Sequence, residues 1–329
     1  MRRPLARVTG LGVYVPSRVV TNQEFAERLE TSDQWIVERT GIRERHIAAA
    51  DETVATMARQ AAGPALAQAG LSAMDLGAIV IATATPDRTL PSTACYLQAM
   101  LGAEKAAAFD IAAACSGFIY GLTVAEGLIA SGQAEHVLVV GGEKLSSITD
   151  DQDRSTAILF GDGVGVVVVS ATTSGDQGIL SSFIKSDGRL APLLYIPSGG
   201  TLDPISEKVV RERTHYMKMA GREVFKHAVL TMAEACDEAV RRAGVRMDEI
   251  DLLVPHQANI RIIDALSRHA SIPMDKVVIT VDRYGNTSAA SIPMALGHAI
   301  ATNRLTPGKL VLVVAFGAGF TWGSAVIRW

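Results

Sequence analysis

Long apolar runs and amphipathic stretches alternate along most of this chain. The runs LGAIVIATAT (76–85), HVLVVGGE (136–143) and DLLVP (251–255) contain few polar positions, which is typical of strands buried on both faces. Between such runs, apolar residues recur every three or four positions, which predicts amphipathic helices. The longer predicted helices are 52–70, 91–102, 116–132, 216–244, 259–270 and 288–303.

The remaining apolar segments predict further strands, several of them bounded by glycine or proline. These strands are 6–16, the run before Cys115, 161–171, one near 179–184, one near 277–281 and two at the C-terminal end. Residues 181–215 are richer in Ser, Gly, Pro and charge, so we expect a long surface excursion there. Buried strands that alternate with helices predict the α/β class.

The order of elements repeats within the chain. ALAQAGLSAMDLGAIVIATA (65–84) aligns with AVRRAGVRMDEIDLLVPHQA (239–258) at an offset of 174 residues, and VLVV recurs at the same offset. Two matches at one offset, in one element order, indicate an internal duplication. We therefore predict two halves, 1–173 and 174–329, with helices between and outside their two sheets.

Composition and charge exclude several classes of protein. The chain has 329 residues, of which 48% are hydrophobic and 20% charged, and its net charge of −3 argues against a dedicated nucleic-acid binder. Cys95, Cys115 and Cys236 are widely spaced, which fits neither a disulfide framework nor a zinc site and indicates a reducing cytoplasm. No apolar run reaches the roughly 18 residues of a membrane span, and we expect no signal peptide.

Cys115 stands at the most informative turn of the sequence. In AAAFDIAAACSGFIYGLTV (106–124), an apolar strand ends in three alanines, and Ser and Gly then open a helix. Small residues on both sides leave room for a substrate carbonyl, and the helix N-terminus favours a thiolate. This stretch alone fits a nucleophile and a buried structural cysteine equally well.

Two other turns carry candidate polar groups in the second half. DLLVPHQANIRII (251–263) places His256 directly after a buried strand, and RYGNTSAASIP (283–293) places Asn286 before a helix. A satisfied structural histidine and ordinary Asn-Gly turn chemistry are the alternative interpretations. Because ligand sites in α/β folds gather at strand ends, Cys115, His256 and Asn286 can converge there.

Cysteine, histidine and asparagine together also suggest a papain-like protease. The protease pattern C-G-[SA]-C-[WY] is missing, and a duplicated α/β chain is the wrong architecture for it.

The runs DIAAACSGF, VPHQANIRII, RYGNTSAASIP and FGAGFTWGSAVIRW together resemble β-ketoacyl-acyl-carrier-protein synthase III, of the thiolase superfamily. SDQWIVERTGIRERHI and LFGDGVGVVVV share the resemblance, which runs from about residue 6 to Trp329. It implies a duplicated thiolase-like fold in five layers (α-β-α-β-α) and a homodimer without a cofactor or metal. It further implies Cys115, His256 and Asn286 as the catalytic residues. The N-terminal half then carries the nucleophilic cysteine, and the C-terminal half carries the histidine and the asparagine.

The implied reaction joins an acyl primer from acyl-CoA to malonyl-acyl-carrier protein, with loss of carbon dioxide. The backbone N–H groups of Cys115 and Ala318 would form the oxyanion hole, although many relatives have glycine at the latter position. The other implied contacts are Trp35, Arg39 and Arg154 for CoA, Leu90 and Phe316 for the acyl pocket, and Arg222, Lys226, Arg261 and Arg268 for the carrier protein.

These contacts have ordinary alternatives, namely a packed tryptophan and solvated basic residues. Leu90 stands where many relatives have an aromatic residue that lines the acyl pocket of the partner subunit. The smaller side chain leaves open whether the enzyme selects an acetyl primer strictly. Two other functions also remain open. One is a secondary-metabolite acyltransferase or condensing enzyme of the same fold, and the other is a catalytically silent acyl-carrier binding protein.

Overall fold

The computed structural model of the chain describes residues 5–173 and 177–329. Its strands are β1 (Leu5–Tyr14), β2 (Arg18–Thr21), β3 (Glu44–Ile47), β4 (Ala78–Ala82), β5 (Ala107–Ile111), β6 (His136–Glu143), β7 (Gly163–Thr172), β8 (Gly178–Ser186), β9 (Leu194–Tyr195), β10 (Lys218–Met219), β11 (Leu252–Pro255), β12 (Leu310–Gly317) and β13 (Thr321–Arg328). Its α-helices are α1 (Asn22–Ala26), α2 (Asp33–Thr40), α3 (Val54–Ala69), α4 (Thr93–Leu101), α5 (Gly117–Ala130), α6 (Arg154–Ala157), α7 (Glu207–Glu212), α8 (Gly221–Ala243), α9 (Ile260–Ala270), α10 (Val281–Tyr284) and α11 (Ser291–Ala301).

Two larger sheets organise these elements. The first has the order β1-β7-β6-β4-β5, in which β4, β5 and β6 are parallel and β7 runs against β1 and β6. The second has the order β11-β12-β13-β8, in which β11 and β12 are parallel. The division of the chain after residue 173 stays a prediction, and residues 174–176 lie outside the described part.

The strand pairing of the two sheets repeats at the offset found in the sequence. Ala78 of β4 pairs with Val137 of β6, and Leu252 of β11 pairs with Val311 of β12. Both residues of the second pair lie 174 positions after their counterparts in the first pair. The recurrent VLVV run therefore occupies the same place in β6 and in β12. Equivalent sequence produces equivalent register because the same apolar positions must face the same layers.

α5 and α11 form the layer between the two sheets. Phe118 and Leu122 of α5 and Leu296 of α11 pack in one buried cluster with Val139 of the first sheet and Val313 of the second. Both helices are apolar on nearly every side because each of them faces a sheet on two sides. This layer brings the starts of both helices, and hence the turns before them, to the middle of the molecule.

The outer layers cover the remaining faces of the sheets. Ala61 of α3 packs with Ile81 of the first sheet, and Cys236 of α8 and Leu266 of α9 pack with Leu312 of the second. The α/β class and the five layers α-β-α-β-α are thus confirmed. Within the described residues, none of the helices combines the length and the apolar sequence needed to cross a bilayer.

The strand predicted near 277–281 is wrong. Only Val277 makes an isolated bridge, to Leu253 of β11, and the chain then turns into α10. The cause is Gln257, whose buried amide oxygen accepts the backbone N–H of Thr280 at 2.7 Å and so begins the helix. A side chain from a distant turn therefore decides this segment, which the local apolar pattern does not reveal.

α8 begins five residues later than predicted, at Gly221. Before it, Met219 pairs with Leu194 in the small β9–β10 sheet, and the N–H of Ala220 donates to the carbonyl of Leu193 at 2.8 Å. Part of the predicted surface excursion thereby folds back against α8, and Leu194 and Met219 form one wall of the cavity described below.

Candidate active site

Cys115 occupies a sharp turn between β5 and α5. Ala114 has a positive φ of 44°, and a single 3₁₀ turn over Ala114–Ser116 leads directly into α5. The Ser116 hydroxyl donates to the carbonyl of Thr321 at 2.9 Å. A Cβ at Gly117 would lie 2.8 Å from the Cβ of Ala82, so only glycine lets the helix start this close to β4. These constraints fix the thiol at the start of the helix.

The turn between β12 and β13 closes tightly over Cys115. A Cβ at Gly317 would lie 2.6 Å from the backbone nitrogen of Cys115, and the Thr321 hydroxyl donates to the carbonyl of Ala113 at 2.9 Å. In the described chain, the N–H of Ala318 has no backbone acceptor. The backbone N–H groups of Cys115 and Ala318 lie in these two adjoining turns, where the expected oxyanion hole needs its donors.

His256 follows β11 and lies almost wholly out of solvent, 2% exposed. Its backbone N–H donates to Val314 at 2.8 Å, and its Nδ1 lies 2.7 Å from the hydroxyl of Ser291. Burial lowers the pKa of His256 to about 3, so the ring is neutral at physiological pH. When Ser291 donates to Nδ1, the ring carries its proton on Nε2 and offers it as a donor.

Asn286 is held by its own backbone and by its side-chain oxygen. Its N–H donates to Leu159 at 2.8 Å, and its carbonyl accepts the N–H of Gly161 at 3.0 Å. The side-chain Oδ1 accepts the N–H of Ser288 at 2.9 Å. With the amide oxygen so engaged, Asn286 keeps its Nδ2 protons available as donors.

One cavity of about 200 Å³ brings the predicted catalytic residues together. Cys115, His256 and Asn286 all line it, and so do Phe316 and Ala318. Most of the remaining wall is apolar, formed by residues that include Leu145, Ile148, Met217, Val224, Phe225 and Met232. An apolar cavity with a few convergent polar groups is the usual form of a small-molecule site.

Burial of Cys115 works against the thiolate that the helix N-terminus was expected to favour. Burial raises the pKa of the thiol from 9.0 to about 12, although the nearby Ser288 hydroxyl lowers it. A helix N-terminus contributes roughly 0.3–1 kcal/mol, which is less than one pKa unit and smaller than the effect of burial. The cysteine is therefore a thiol at neutral pH, and its acylation requires an acceptor for the proton.

The residues expected to contact CoA form one surface cluster. Arg39 and Arg154 place their guanidinium groups 4.6 and 5.0 Å from the centre of the Trp35 ring. Arg154 also donates to the carbonyl of Glu30 at 2.6 Å. The cluster thus combines an aromatic face with two cations, which suits an adenine that carries phosphates.

The four basic residues expected to bind the carrier protein are exposed on α8 and α9. Arg222 and Lys226 lie on α8, and Arg261 stacks on Phe225 of the cavity wall at 5.9 Å. Arg268 lies about 10 Å further along α9, at 1.5 Å per residue, and forms an ion pair with Asp264 on the same helix. Within the described residues, the other three form no ion pair, and the cavity-lining residues Gly221 and Phe225 are their neighbours on α8 or, for Arg261, its stacking partner.

Leu90 lies outside the cavity of its own chain and is 83% exposed. Its role in a partner's acyl pocket stays a prediction. Phe316, in contrast, lines the cavity and packs edge-to-face on Phe320 at 4.6 Å. Sequence reasoning missed Ser288 and Ser291, although both stand in the quoted run RYGNTSAASIP close to Asn286.

Residues 109–188 match the family described as 3-Oxoacyl-[acyl-carrier-protein (ACP)] synthase III, and residues 240–329 match the family that describes its C-terminal part. A β-ketoacyl-[acyl-carrier-protein] synthase III of Methylococcus capsulatus is 50% identical over 324 residues, 98% of this chain and 99% of the relative.

Two solved structures share the whole fold. The 3-oxoacyl-[acyl-carrier-protein] synthase III from Aquifex aeolicus VF5 has a TM-score of 0.91 and 46% identity, covering 98% of this chain and 100% of its own. The priming β-ketosynthase from the R1128 polyketide biosynthetic pathway has a TM-score of 0.91 and 33% identity, covering 99% and 96%.

Five alternating layers with a cavity lined by Cys115, His256 and Asn286 define a condensing enzyme of the thiolase class. The matches are more specific than the class. With half of its residues identical to a synthase III over nearly the full length of both, the chain belongs to the 3-oxoacyl-[acyl-carrier-protein] synthase III family.

Proposed function

We propose that this chain condenses an acyl primer from acyl-CoA with malonyl-acyl-carrier protein, gives 3-ketoacyl-acyl-carrier protein and so initiates fatty acid synthesis. The observation that carries the proposal is the convergence of Cys115, His256 and Asn286 on one apolar cavity. The relatives that match end to end bear the name of this activity. The chain is accordingly an acyltransferase.

The first half-reaction loads the primer. The sulfur of Cys115 attacks the thioester carbonyl, the carbon–sulfur bond to CoA breaks, and CoA leaves as a thiol with the proton from Cys115. The negative oxygen formed on the way is stabilised by the N–H groups of Cys115 and Ala318. Both donors belong to tightly packed turns, so they need little reorganisation.

The second half-reaction forms the new carbon–carbon bond. The malonyl group loses its carboxylate as carbon dioxide and becomes an enolate. The enolate oxygen accepts hydrogen bonds from Nε2–H of His256 and Nδ2–H of Asn286. The enolate carbon attacks the acyl carbonyl on Cys115, and the bond to sulfur breaks. Because His256 is neutral, it donates this hydrogen bond without supplying a full charge or losing its own proton.

The apolar wall receives the acyl chain, with Phe316 close to the reacting carbon. Leu90, exposed on its own chain, supplies the matching wall across a homodimer. Trp35 stacks on the adenine of CoA, and Arg39 and Arg154 bind its phosphates. Arg222, Lys226 and Arg261 steer the acidic carrier protein to the cavity mouth, with Arg268 as a more distant contact. Analytical ultracentrifugation of the wild type tests the homodimer.

These steps use the thiol and fixed hydrogen-bond donors, so the proposal includes no cofactor and no metal, with acyl-CoA as a substrate. The three cysteines are free in the structure, which suits work in a reducing cytoplasm. Metal analysis of active enzyme, by elemental mass spectrometry, is the direct test, and a stoichiometric metal required for turnover would contradict it.

The R1128 priming ketosynthase, with 33% identity over nearly the whole chain, favours one second candidate. In that case the same condensation primes a polyketide or another secondary metabolite.

The decisive experiment is incubation with a panel of acyl-CoAs and intact-mass measurement, followed by addition of malonyl-acyl-carrier protein. Acetyl or another short primer on Cys115, followed by carbon dioxide release and ketoacyl product, supports initiation of fatty acid synthesis. Loading without condensation indicates a different acyltransferase, and no loading at all contradicts an enzyme.

A further inference from the structure

A buried carboxylate stands directly behind the nucleophile. Glu143, the last residue of β6, is fully buried. The Ser288 hydroxyl donates to its Oε1 at 3.1 Å, and Ser288 lines the active-site cavity together with Cys115. Ser288 therefore stands between the carboxylate and the cavity that holds the nucleophile.

The surroundings hold this carboxylate in place and supply only uncharged donors. The Thr85 hydroxyl donates to Oε2 at 2.7 Å, the Thr83 hydroxyl at 3.2 Å, and the N–H of Ala84 at 3.0 Å. The neighbouring ammonium of Lys144 points elsewhere and donates to the carbonyls of Ala49 and Glu52, each at 2.7 Å. The groups that face Glu143 are thus these three donors, Ser288 and the thiol of Cys115.

Ser288 is also held in the orientation that a relay needs. Its φ of 48° is unusual for a residue other than glycine, and its N–H is tied to the side-chain oxygen of Asn286 at 2.9 Å. A strained residue held between two functional groups is typical of an active site rather than of a structural turn. This arrangement holds the hydroxyl against the carboxylate at the wall of the cavity that Cys115 also lines.

We propose that Glu143 accepts, through Ser288, the proton that Cys115 must lose before it attacks the thioester. The S–H bond breaks, the Ser288 oxygen takes this proton, and the original Ser288 proton moves to Glu143. Sulfur is then a thiolate and Glu143 a neutral acid, so the net charge is unchanged. When the thioester bond breaks, the proton returns along the same path to the leaving CoA sulfur. Glu143 is thus a positioning residue, since it acts through Ser288.

The titration of Glu143 supports this role. Burial raises its pKa to about 7, against the opposing effect of its hydrogen bonds. A carboxylate that titrates near neutral pH is a better acceptor for a thiol proton than an ordinary surface carboxylate is. His256 is a poor alternative acceptor, because burial lowers its pKa to about 3 and disfavours a charged ring.

If Glu143 acted on Cys115 only through its charge, removing it would have the opposite effect on the reactivity of the thiol. An experiment can therefore distinguish the two explanations. The negative charge of Glu143 raises the pKa of the Cys115 thiol, so its removal would favour the thiolate if no proton passed between them. On that account Glu143→Gln alkylates faster than the wild type. In the relay account the same substitution removes the acceptor and slows alkylation.

The test is the pH dependence of Cys115 alkylation by iodoacetamide, followed on the Cys115 peptide by mass spectrometry. The wild type should show an inflection near neutral pH. Glu143→Gln should lose that inflection, with alkylation at pH 7 slower by at least about tenfold, since each pKa unit changes the thiolate fraction tenfold. Ser288→Ala should show the same loss with Glu143 intact, and it decides the matter if Glu143→Gln does not fold.

Asp162→Asn is the matched control. Asp162 is also a fully buried carboxylate, accepts the Ala48 N–H at 2.8 Å and the Ser146 hydroxyl at 2.6 Å, and does not line the cavity. Its alkylation profile should match the wild type. The relay is overturned if Glu143→Gln alkylates as fast as the wild type or faster, if the inflection survives in Ser288→Ala, or if Asp162→Asn shows an equal loss. The inference rests on the proposed acyl transfer, but iodoacetamide needs no acyl substrate, so the two fail separately.

Discussion

Replacing His256 by alanine should separate the two half-reactions. The substitution removes the Nε2–H donor but leaves the thiol of Cys115 and the backbone N–H groups of Cys115 and Ala318 in place. One donor to a developing oxyanion in a dry site is worth about 3–4 kcal/mol, or 10²–10³ in rate. We therefore expect malonyl decarboxylation to slow by about that factor and acylation of Cys115 to slow by less than about tenfold.

The assay measures each step by itself. Acylation is followed by rapid quenching and intact mass after mixing with acetyl-CoA, and decarboxylation by carbon dioxide release after acylated enzyme meets malonyl-acyl-carrier protein. Asn286→Ala should show the same partition as His256→Ala. Ser267→Ala is the control, because it removes a different buried polar side chain, whose hydroxyl donates to the carbonyl of Ile272 at 2.6 Å, away from the cavity.

Two results would refute this reasoning. Equal loss of both steps in His256→Ala would mean that the histidine acts on the thiol of Cys115. A decarboxylation rate with an inflection near pH 6–7 that persists in Glu143→Gln would also contradict it, since Glu143 itself titrates near pH 7. Because burial lowers the pKa of His256 to about 3, the ring stays neutral across pH 5–8, and its donor is present throughout that range.

The remaining predictions concern the nucleophile, the two substrate surfaces and acid stability. Cys115→Ala should abolish the acyl adduct seen by intact mass, and an adduct on another cysteine would contradict the assignment. Trp35→Ala should raise the KM for acyl-CoA by about tenfold and spare the malonyl step, since stacking on a base is worth roughly 1–3 kcal/mol. Arg261→Glu should raise the KM for malonyl-acyl-carrier protein, spare loading, and reduce the salt dependence of condensation; slowed loading would place the docking face elsewhere. His256 binds protons in the unfolded state below about pH 6.5 but in the folded state only near pH 3, so its contribution to stability is present above pH 6.5 and is lost as pH falls. His256→Gln should therefore flatten the fall of the unfolding free energy in acid by up to about 1.4 kcal/mol per pH unit, measured by urea unfolding.

The sequence predicted the layers well because they depend on local patterns that repeat. The VLVV cores of β6 and β12 are apolar at every position and lie 174 residues apart, so the pairing of these strands with β4 and β11 follows from one pattern used twice. The failure at 277–281 has a different origin. There the amide of Gln257, a residue some twenty positions earlier, decides the backbone path.

The site was predictable in its members but not in its electrostatics. Cys115, His256 and Asn286 each follow a strand or precede a helix, and such turns meet at one edge in α/β folds. The raised pKa of the thiol was not predicted, because the helix N-terminus is visible in the sequence, whereas burial by residues from distant parts of the chain is not. Glu143 was missed for the same reason, since its contact with Ser288 joins β6 to the turn before α11.

Burial of the cavity has opposite consequences for the two half-reactions. A dry cavity strengthens the hydrogen bonds from His256 and Asn286 to an enolate and keeps water from protonating it, which favours condensation. The same dryness raises the pKa of Cys115 and therefore hinders the loading that must come first. A more open cavity would ease loading and expose the enolate. A proton acceptor buried with the thiol resolves this conflict, because it allows the proton to leave sulfur without bringing a net charge or a water molecule into the cavity. The position of Glu143, behind Cys115 and away from the apolar acyl wall, is the one that such a solution requires.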